Sequence, residues 1–370
     1  MFFLLVFLQA TNPARAWQYL MTGMFVANAV SVYWAWQLRS SLTVERRLVY
    51  SWAQVGDLLE EEFTLTNSSW LPVLWAEVVD HSTVPGYSAA RVETVSGHSR
   101  RSWRISSVCR RRGHFQLGPW ELRVSDPFAV FELVYDFPDA RDVVVFPPIV
   151  RVPQLSLPRG AANGSSRSRS RALETTIDAA SVREYLPGDS LSHVHWPTFA
   201  RQRQFYVKEF DQEPSGSLWI LLDLDSRVQA GEDEESTVEY GVIVAASLAH
   251  TVLRDNRPVG LFVEGQSRAV IRPNVGLNHM WGLMRTLTSV QAAPTAALAE
   301  LLEDWGRMAA RDATVAIVTP STDRLWLEPL MRIVSRGIAV RVVFLDAESF
   351  GGSQRDLAGM IAALAELGIQ

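Results

Sequence analysis

Apolar segments of two kinds alternate along the second half of the chain. Short continuous apolar runs predict buried strands, and longer segments with apolar residues three and four positions apart predict helices. The predicted strands cover residues 218–223, 259–263, 269–271, 314–318 and 339–345. The predicted helices cover residues 237–254, 279–287, 295–309, 325–334 and 355–367. This alternation predicts an α/β domain built on a doubly wound, mostly parallel sheet.

The region before it has a different pattern, with short runs of alternating apolar and polar residues separated by turn signals. Strands are predicted over residues 42–49, 58–66, 74–79, 91–95, 101–108, 121–124 and 142–146. Several short strands at this spacing favour an antiparallel β-sandwich.

The N-terminal segment over residues 17–38 is apolar and has aromatic residues at both ends. As a helix it would reach about 33 Å, which predicts a transmembrane helix. Arg39, Arg46 and Arg47 follow it and Arg15 precedes it, which predicts that the soluble domains face the cytoplasm from the cell membrane. A secretory signal peptide is the competing interpretation, because Ala14, Arg15 and Ala16 imitate a cleavage site.

These patterns predict an α+β multidomain chain. The predicted divisions are a membrane anchor over residues 1–40, a β-sandwich over 41–152, a linker over 153–182 and the α/β domain over 183–370. Within the linker, serine and arginine alternate through Arg167, Arg169 and Arg171, and no apolar residue recurs at a regular spacing.

Composition and missing motifs restrict the function. The 370 residues carry a net charge of −5 and have one cysteine, Cys109, so neither nucleic-acid binding nor a disulfide framework is expected. No phosphate-binding glycine loop, dinucleotide fingerprint, zinc-protease motif or nucleophile elbow occurs. We therefore predict that the protein is not an enzyme and binds no nucleotide.

Two short motifs in the first half receive structural interpretations. The run Arg110, Arg111 and Arg112 is predicted to be the solvated edge of a hairpin, and contact with anionic headgroups or an acidic partner is the alternative. After Asp126 we predict a turn in which Phe128 fills the core and Ala129 keeps an ordinary backbone conformation.

A longer motif begins at the entrance to the α/β domain, where a Pro-Gly-Asp turn precedes strand-like residues. Its order and spacing resemble the signature of the bacterial "domain of unknown function 58" family. The matching residues are Arg183, Tyr185, Pro187, Gly188, Asp189, His195, Trp196, Ala200, Arg201, Lys208 and Glu209. We expect Trp196 to fill the core, and Arg201 is a candidate contact for a partner.

The resemblance implies a von Willebrand A-like domain, whose adhesion-type metal site begins Asp-x-Ser-x-Ser after the first strand. Asp223 matches the first position, but Asp225 and Arg227 replace the two serines. A guanidinium cannot bind a divalent cation. The candidate metal ligands are Asp223, Asp225, Thr319 and Asp323. We expect weak Mg²⁺ binding at most and no other cofactor. The alternative is that Asp223 and Asp225 cap loops and pair with Arg227.

The resemblance also implies a function. We predict a non-enzymatic, membrane-tethered interaction module that is the adaptor or partner of a MoxR-type AAA+ ATPase in the assembly or maturation of protein complexes. The first alternative is a metal-dependent ligand-binding domain of the adhesion type. The second is a hydrolase whose site is not recognised.

The acidic run over residues 232–235 is predicted to be a solvated loop. The alternative is that it attracts a basic partner.

Overall fold

The structure is a computed structural model. It describes residues 14–48, 50–152, 181–184, 206–209, 216–294, 296–310, 313–353 and 356–369, together with residues 7, 10, 11 and 204. The chain separates into two compact units. The first comprises Met1–Val150, Gly231–Ser247 and Trp281–Gln291, and the second comprises Arg151–Ala230, Leu248–Met280 and Ala292–Gln370. The predicted domain boundaries stay predictions.

The chain begins with helix α1, Arg15–Arg39, and continues in strands. These are β1 Leu42–Leu48, β2 Trp52–Gln54, β3 Leu58–Asn67, β4 Val73–Asp80, β5 Arg91–Val95, β6 Ser99–Val108, β7 Gly113–Leu117, β8 Trp120–Ser125, β9 Glu132–Phe137 and β10 Arg141–Phe146. They form three sheets with the orders β1-β3-β6, β2-β10-β7 and β5-β4-β8-β9. Because β2 pairs with β10 in parallel, the prediction of an entirely antiparallel arrangement is wrong.

The remaining elements follow in chain order. The strands are β11 Ser181–Glu184, β12 Tyr206–Glu209, β13 Leu218–Asp223, β14 Gly231–Glu232, β15 Glu235–Ser236, β16 Val259–Glu264, β17 Arg268–Asn274, β18 Thr314–Thr319 and β19 Ala339–Phe344. The helices are α2 Thr237–Arg254, α3 Leu277–Ser289, α4 Leu298–Met308, α5 Leu327–Val334 and α6 Leu357–Glu366, with 3-10 turns at Arg324–Trp326 and Ala347–Phe350.

The second unit contains a five-stranded sheet of order β17-β16-β13-β18-β19. Strands β16, β13, β18 and β19 run parallel, and β17 pairs antiparallel with β16. All six positions of β13 and of β18 are buried, as expected for the central strands of a parallel sheet. Helices α4, α5 and α6 contribute to a core with Trp219, Trp305 and Trp326.

The predicted transmembrane helix is wrong. Among the described residues, no helix combines the length and the apolar character that crossing a bilayer requires. Polar side chains interrupt α1, and Thr22 and Asn28 bond back to carbonyls of its own preceding turn. The observed helices and strands make a mixed α/β protein with several sheets. The predicted location at the cell membrane and the predicted cytoplasmic orientation stay predictions.

The C-terminal half of α1 packs on the β region of the first unit. Leu38 is buried in that core. Trp34 Nε1 donates to Pro72 O at 3.2 Å, and the buried Ser31 hydroxyl donates to Asp126 Oδ2 at 2.7 Å. These contacts hold the C-terminal half of α1 against the strands of the first unit.

The turn after Asp126 differs from its prediction. Asp126 accepts backbone hydrogen bonds from Phe128, Val130 and Phe131 at 2.7–2.9 Å. This arrangement places Ala129 at φ 53°, in the left-handed region, and leaves Phe128 55% exposed. The carboxylate decides the path of the turn, although a left-handed alanine is unfavourable by about 1–2 kcal/mol.

A buried ionic network lies in the core of the first unit. Arg46 donates two hydrogen bonds to Glu61, from Nε to Oε1 at 2.9 Å and from Nη2 to Oε2 at 2.8 Å. Its Nη1 lies 3.3 Å from Asp80 Oδ1, and its guanidinium stands over the Phe63 ring at 5.3 Å. The Tyr87 hydroxyl also donates to Glu61. Burial and the Glu61 carboxylate raise the pKa of Tyr87, which keeps this hydroxyl protonated.

The arginine run is also not a solvated edge throughout. Arg112 is buried, and within the first unit it donates from Nε to Leu287 O at 3.0 Å and from Nη2 to Val290 O at 2.7 Å. It also pairs with Glu239. The pKa of Arg112 is lowered mainly by burial, although Glu239 opposes this shift. Arg112 therefore caps the C-terminal carbonyls of α3 instead of facing solvent.

Candidate functional site at the carboxyl edge of the five-stranded sheet

Two central strands of the parallel sheet end at neighbouring polar residues. Leu222 of β13 is opposite Val318 of β18, so Asp223 and Thr319 come next on adjacent strands. In parallel α/β sheets the carboxyl ends of the strands are where ligands and partners usually bind. This edge of the sheet is the candidate site.

Asp223 lies at the bottom of this edge and is 3% exposed. The Thr319 hydroxyl donates to its Oδ2 at 2.6 Å, and the Asp225 backbone N–H donates to its Oδ1 at 3.1 Å. Burial raises the pKa of Asp223 to about 6, although both hydrogen bonds act in the opposite direction. Ionisation of the Asp223 carboxyl in the folded protein therefore has a large electrostatic free-energy cost.

Asp225 is 4% exposed, and Arg227 occupies both of its oxygens. Arg227 Nε lies 2.8 Å from Oδ1 and 3.1 Å from Oδ2, and Nη2 lies 2.9 Å from Oδ2. The Arg227 side chain is itself 58% exposed. The hydrogen bonds and charge of Asp225 raise the pKa of Arg227, so the guanidinium stays positively charged while it pairs with the Asp225 carboxylate.

Backbone contacts fix the loop that carries this pair. Ser226 N donates to Ala293 O at 3.1 Å, and Ala293 N donates to Leu224 O at 3.0 Å. The loop then approaches the segment after β19 so closely that a Cβ at Gly352 would lie 2.8 Å from the Cβ of Ala230. A larger residue at position 352 would push these two loops apart.

The segment after β18 turns through a series of side-chain caps. Ser321 N donates to Thr319 Oγ1 at 2.9 Å. Asp323 Oδ1 accepts from Leu325 N at 3.0 Å and so caps the 3-10 turn Arg324–Trp326. The structure thus joins Asp223 to Thr319 and Asp225 to Arg227, whereas the contacts of Asp323 are those of a helix cap. These contacts agree with the loop-capping interpretation of the aspartates.

The predicted metal site stays a prediction. Within the described part of the chain, no group of three or more His, Cys, Asp or Glu side chains is arranged to hold a metal ion. The oxygens of Asp223 and Asp225 that would bind Mg²⁺ accept hydrogen bonds from Thr319, Arg227 and the backbone instead. A cation would have to displace Arg227 to reach Asp225.

The signature motif is described only in part. Arg183 belongs to β11, and Lys208 and Glu209 belong to β12; the two strands pair antiparallel, with Val182 opposite Lys208 and Ser181 opposite Glu209. The other signature residues lie outside the described residues. They are Tyr185, Pro187, Gly188, Asp189, His195, Trp196, Ala200 and Arg201.

Sequence reasoning missed two residues of this edge. Ser321 is buried, and its hydroxyl accepts from Asp323 N at 3.4 Å. Leu325 is 74% exposed although it is a large apolar residue. The available signal was the polar segment of residues 319–323, which marks Leu325 as the first apolar residue after a cap.

The raised pKa of Asp223 gives a prediction for stability. Between its unfolded value near 3.8 and about 6 in the folded state, the folded chain binds more protons, so stability falls as pH rises through this window. Asp223→Asn removes this penalty. We expect it to raise the free energy of unfolding at pH 7.5 by up to about 3 kcal/mol and to have a much smaller effect near pH 4.

Urea unfolding of the wild type and of Asp223→Asn at pH 7.5 and near pH 4 measures this effect. Asp323→Asn is the matched control, because asparagine caps a helix about as well as aspartate does. A lower free energy of unfolding for Asp223→Asn at pH 7.5 would contradict the prediction.

Comparison with known proteins agrees with the resemblance seen in the sequence. Residues 181–349 match the model of the family described as "Protein of unknown function DUF58". The uncharacterized protein YeaD of Bacillus subtilis is 26% identical over 289 residues, which cover 75% of this chain and 70% of YeaD. The uncharacterized protein Mb1516 of Mycobacterium bovis is 23% identical over 171 residues, which cover 44% of this chain and about half of the relative, 53%.

Solved structures give only weak likeness. The CARDB domain of the PF1109 protein from Pyrococcus furiosus has a TM-score of 0.22 and 19% identity, covering 28% of this chain and 91% of that domain. Spo0M, a sporulation control protein from Bacillus subtilis, has a TM-score of 0.20 and 7% identity, covering 29% of this chain and 49% of Spo0M. Residues 181–349, which are less than half of the chain, are similar to the DUF58 family.

Proposed function

We propose that this chain is a non-enzymatic interaction module and that a protein partner docks on the carboxyl edge of the five-stranded sheet. One observation carries the proposal. The buried carboxylates of Asp223 and Asp225 accept hydrogen bonds from within the protein, and the Arg227 guanidinium and the Leu325 side chain are among the groups that this edge leaves exposed. A cation and an exposed apolar residue on the loops of one edge suit a partner surface that offers a carboxylate and an apolar pocket.

The proposed partner is a MoxR-type AAA+ ATPase, as the resemblance to the DUF58 family implies. The Arg227 charge would contribute to orientation and to the rate of association, since electrostatic complementarity acts mainly on these. Burial of Leu325 would contribute about 1.5–3 kcal/mol to the free energy of binding. The net charge of −5 gives no support for a nucleic-acid partner.

A second candidate function is metal-dependent ligand binding. It is favoured by the Thr319 hydroxyl lying 2.6 Å from Asp223 Oδ2, because a hydroxyl and a carboxylate together can bind a divalent cation. Micromolar affinity for Mg²⁺ would stabilise the folded chain by about 4 kcal/mol at a millimolar concentration. Docking of the partner through Arg227 and Leu325 needs no bound Mg²⁺, so it predicts no such increase in the stability of the folded chain.

Capture of the ATPase by the immobilised full chain tests the proposal. We expect Leu325→Ser to weaken capture by about tenfold or more, because burial of a leucine side chain contributes about 1.5–3 kcal/mol. Ile361→Ser is the matched control, since Ile361 of α6 is 51% exposed and belongs to the same unit. Equal capture by wild type and Leu325→Ser would contradict docking at this edge.

A further inference from the structure

A groove in the first unit is lined by aromatic and acidic side chains that are not part of the proposed docking edge. Its volume is about 280 Å³, and its described lining includes Tyr50, Trp52, Asp57, Leu58 and Glu60. The large side chains are unusually accessible: Tyr50 is 67%, Trp52 48% and Leu58 57% exposed. Exposed aromatic residues grouped around a concavity are a common feature of binding sites on proteins.

The lining has one sign of charge. Asp57 and Glu60 contribute carboxylates, and the residues that line the groove in the described structure include no lysine, arginine or histidine. Asp57 is held in place because its Oδ2 accepts from Gln54 N at 2.8 Å. Aromatic faces combined with carboxylates form the environment that binds the side chain of a lysine or an arginine, through cation–π contact and charge pairing.

Trp52 is positioned by other aromatic rings of the first unit. Its ring lies 5.4 Å from the ring of Trp281 in an edge-to-face arrangement and 6.5 Å from the ring of Phe146. Aromatic pairs at these separations prefer such tilted arrangements. The indole is therefore largely oriented before a ligand arrives, which lowers the entropic cost of binding.

The backbone beside the groove favours an extended ligand. Strand β2, which carries Trp52, is at the edge of its sheet. Leu58–Glu60 of β3 pairs with β6, and the described part of β1, which ends at Leu48, pairs with β3 from Glu61 onward. Strand segments that are paired on one side can accept the backbone of an added peptide strand.

We propose that this groove binds an extended basic segment of a partner protein, with an arginine or lysine side chain placed between the Tyr50 and Trp52 rings and the carboxylates of Asp57 and Glu60. The groove belongs to the first unit and the docking edge to the second. The inference therefore goes beyond the proposed function, and it stands or fails independently of it.

A titration of a fluorescein-labelled Val-Arg-Val-Arg-Val peptide with the full chain tests the groove. The fluorescence anisotropy of the peptide reports binding. Peptides with glutamine or glutamate in place of arginine are the references. We expect the glutamine peptide to bind about tenfold more weakly and the glutamate peptide more weakly still. Trp52→Ala should weaken binding of the arginine peptide by about tenfold, and Glu60→Gln by about threefold.

Trp75→Ala is the matched control, because Trp75 is also 48% exposed but belongs to β4 and not to the groove. It should bind the arginine peptide as the wild type does. Glu60→Gln keeps the test valid if Trp52→Ala fails to fold. Equal affinity for the arginine and glutamine peptides would show a merely apolar groove and overturn the proposal. Absence of binding, or equal losses for Trp52→Ala and Trp75→Ala, would overturn it as well.

Discussion

Replacing Arg46 by alanine is expected to lower the free energy of unfolding by about 3–5 kcal/mol, because it leaves buried carboxylates without their cation. Glu61 is 1% exposed, and the Asp80 side chain is 2% exposed. Arg46 contacts both, and its guanidinium also stands over the Phe63 ring. The variant therefore loses charge pairing, hydrogen bonds and aromatic contact together.

Urea unfolding of the full chain, followed by tryptophan fluorescence, measures this loss. The neighbouring Arg47→Ala is the matched control. Arg47 pairs with Glu45 at 3.0 Å, but their side chains are 73% and 48% exposed, so we expect a loss below about 1 kcal/mol. Similar losses for the two variants would show that the Arg46 network contributes no more than a surface ion pair.

Arg112→Ala is expected to have an effect of similar size, about 3–5 kcal/mol. It removes the cation that pairs with Glu239, and it leaves the carbonyls of Leu287 and Val290 without their side-chain donor. Because Arg112 is only 8% exposed, water does not easily replace these contacts. The loss should therefore vary little with salt concentration.

Thermal and urea unfolding in low and high salt measure this effect. Arg110→Ala is the control from the same run, because Arg110 is exposed, and we expect it to change the free energy of unfolding by less than about 0.5 kcal/mol. If high salt removed the difference between the two variants, Arg112 would behave as a surface charge and the prediction would be wrong.

Most elements of the five-stranded sheet were predictable from sequence. The predicted strand over residues 218–223 and the predicted helix over 237–254 have the observed bounds. Continuous apolar runs identify strands that are buried on both faces, and this signal is strong. Among strands β1 to β10, β2, β7 and β9 were missed. Strand β2 has only three residues, and polar residues interrupt the apolar signal in the other two: His114 and Gln116 in β7, and Glu132 and Asp136 in β9.

Features that depend on distant partners were not predictable. Three consecutive arginines suggest a solvated surface, and only the fold brings Leu287 O and Val290 O to Arg112. The hydrogen bond from Ser31 of α1 to Asp126, a residue far along the chain, likewise cannot be read from the sequence of the helix. In both cases the sequence pattern is local, whereas the contact joins distant residues.

The candidate site was predictable at the level of strand ends. The carboxyl-end rule brought Asp223 and Thr319 together, and their hydrogen bond confirms that they are neighbours. The structure also pairs Asp225 with Arg227, whereas the choice between metal ligands and loop caps stays a prediction. The cap made by Asp323 and the exposure of Leu325 depend on the exact turn after β18, which residue types alone do not specify.

Binding of the nucleotide-free MoxR-type ATPase to the immobilised full chain in EDTA tests the proposed docking edge most directly. Wild-type chain should bind equally well in EDTA and in Mg²⁺, and Leu325→Ser should bind about tenfold more weakly in both. Ile361→Ser should bind as the wild type does. Loss of wild-type binding in EDTA, or equal binding by wild type and Leu325→Ser, would contradict docking through Arg227 and Leu325.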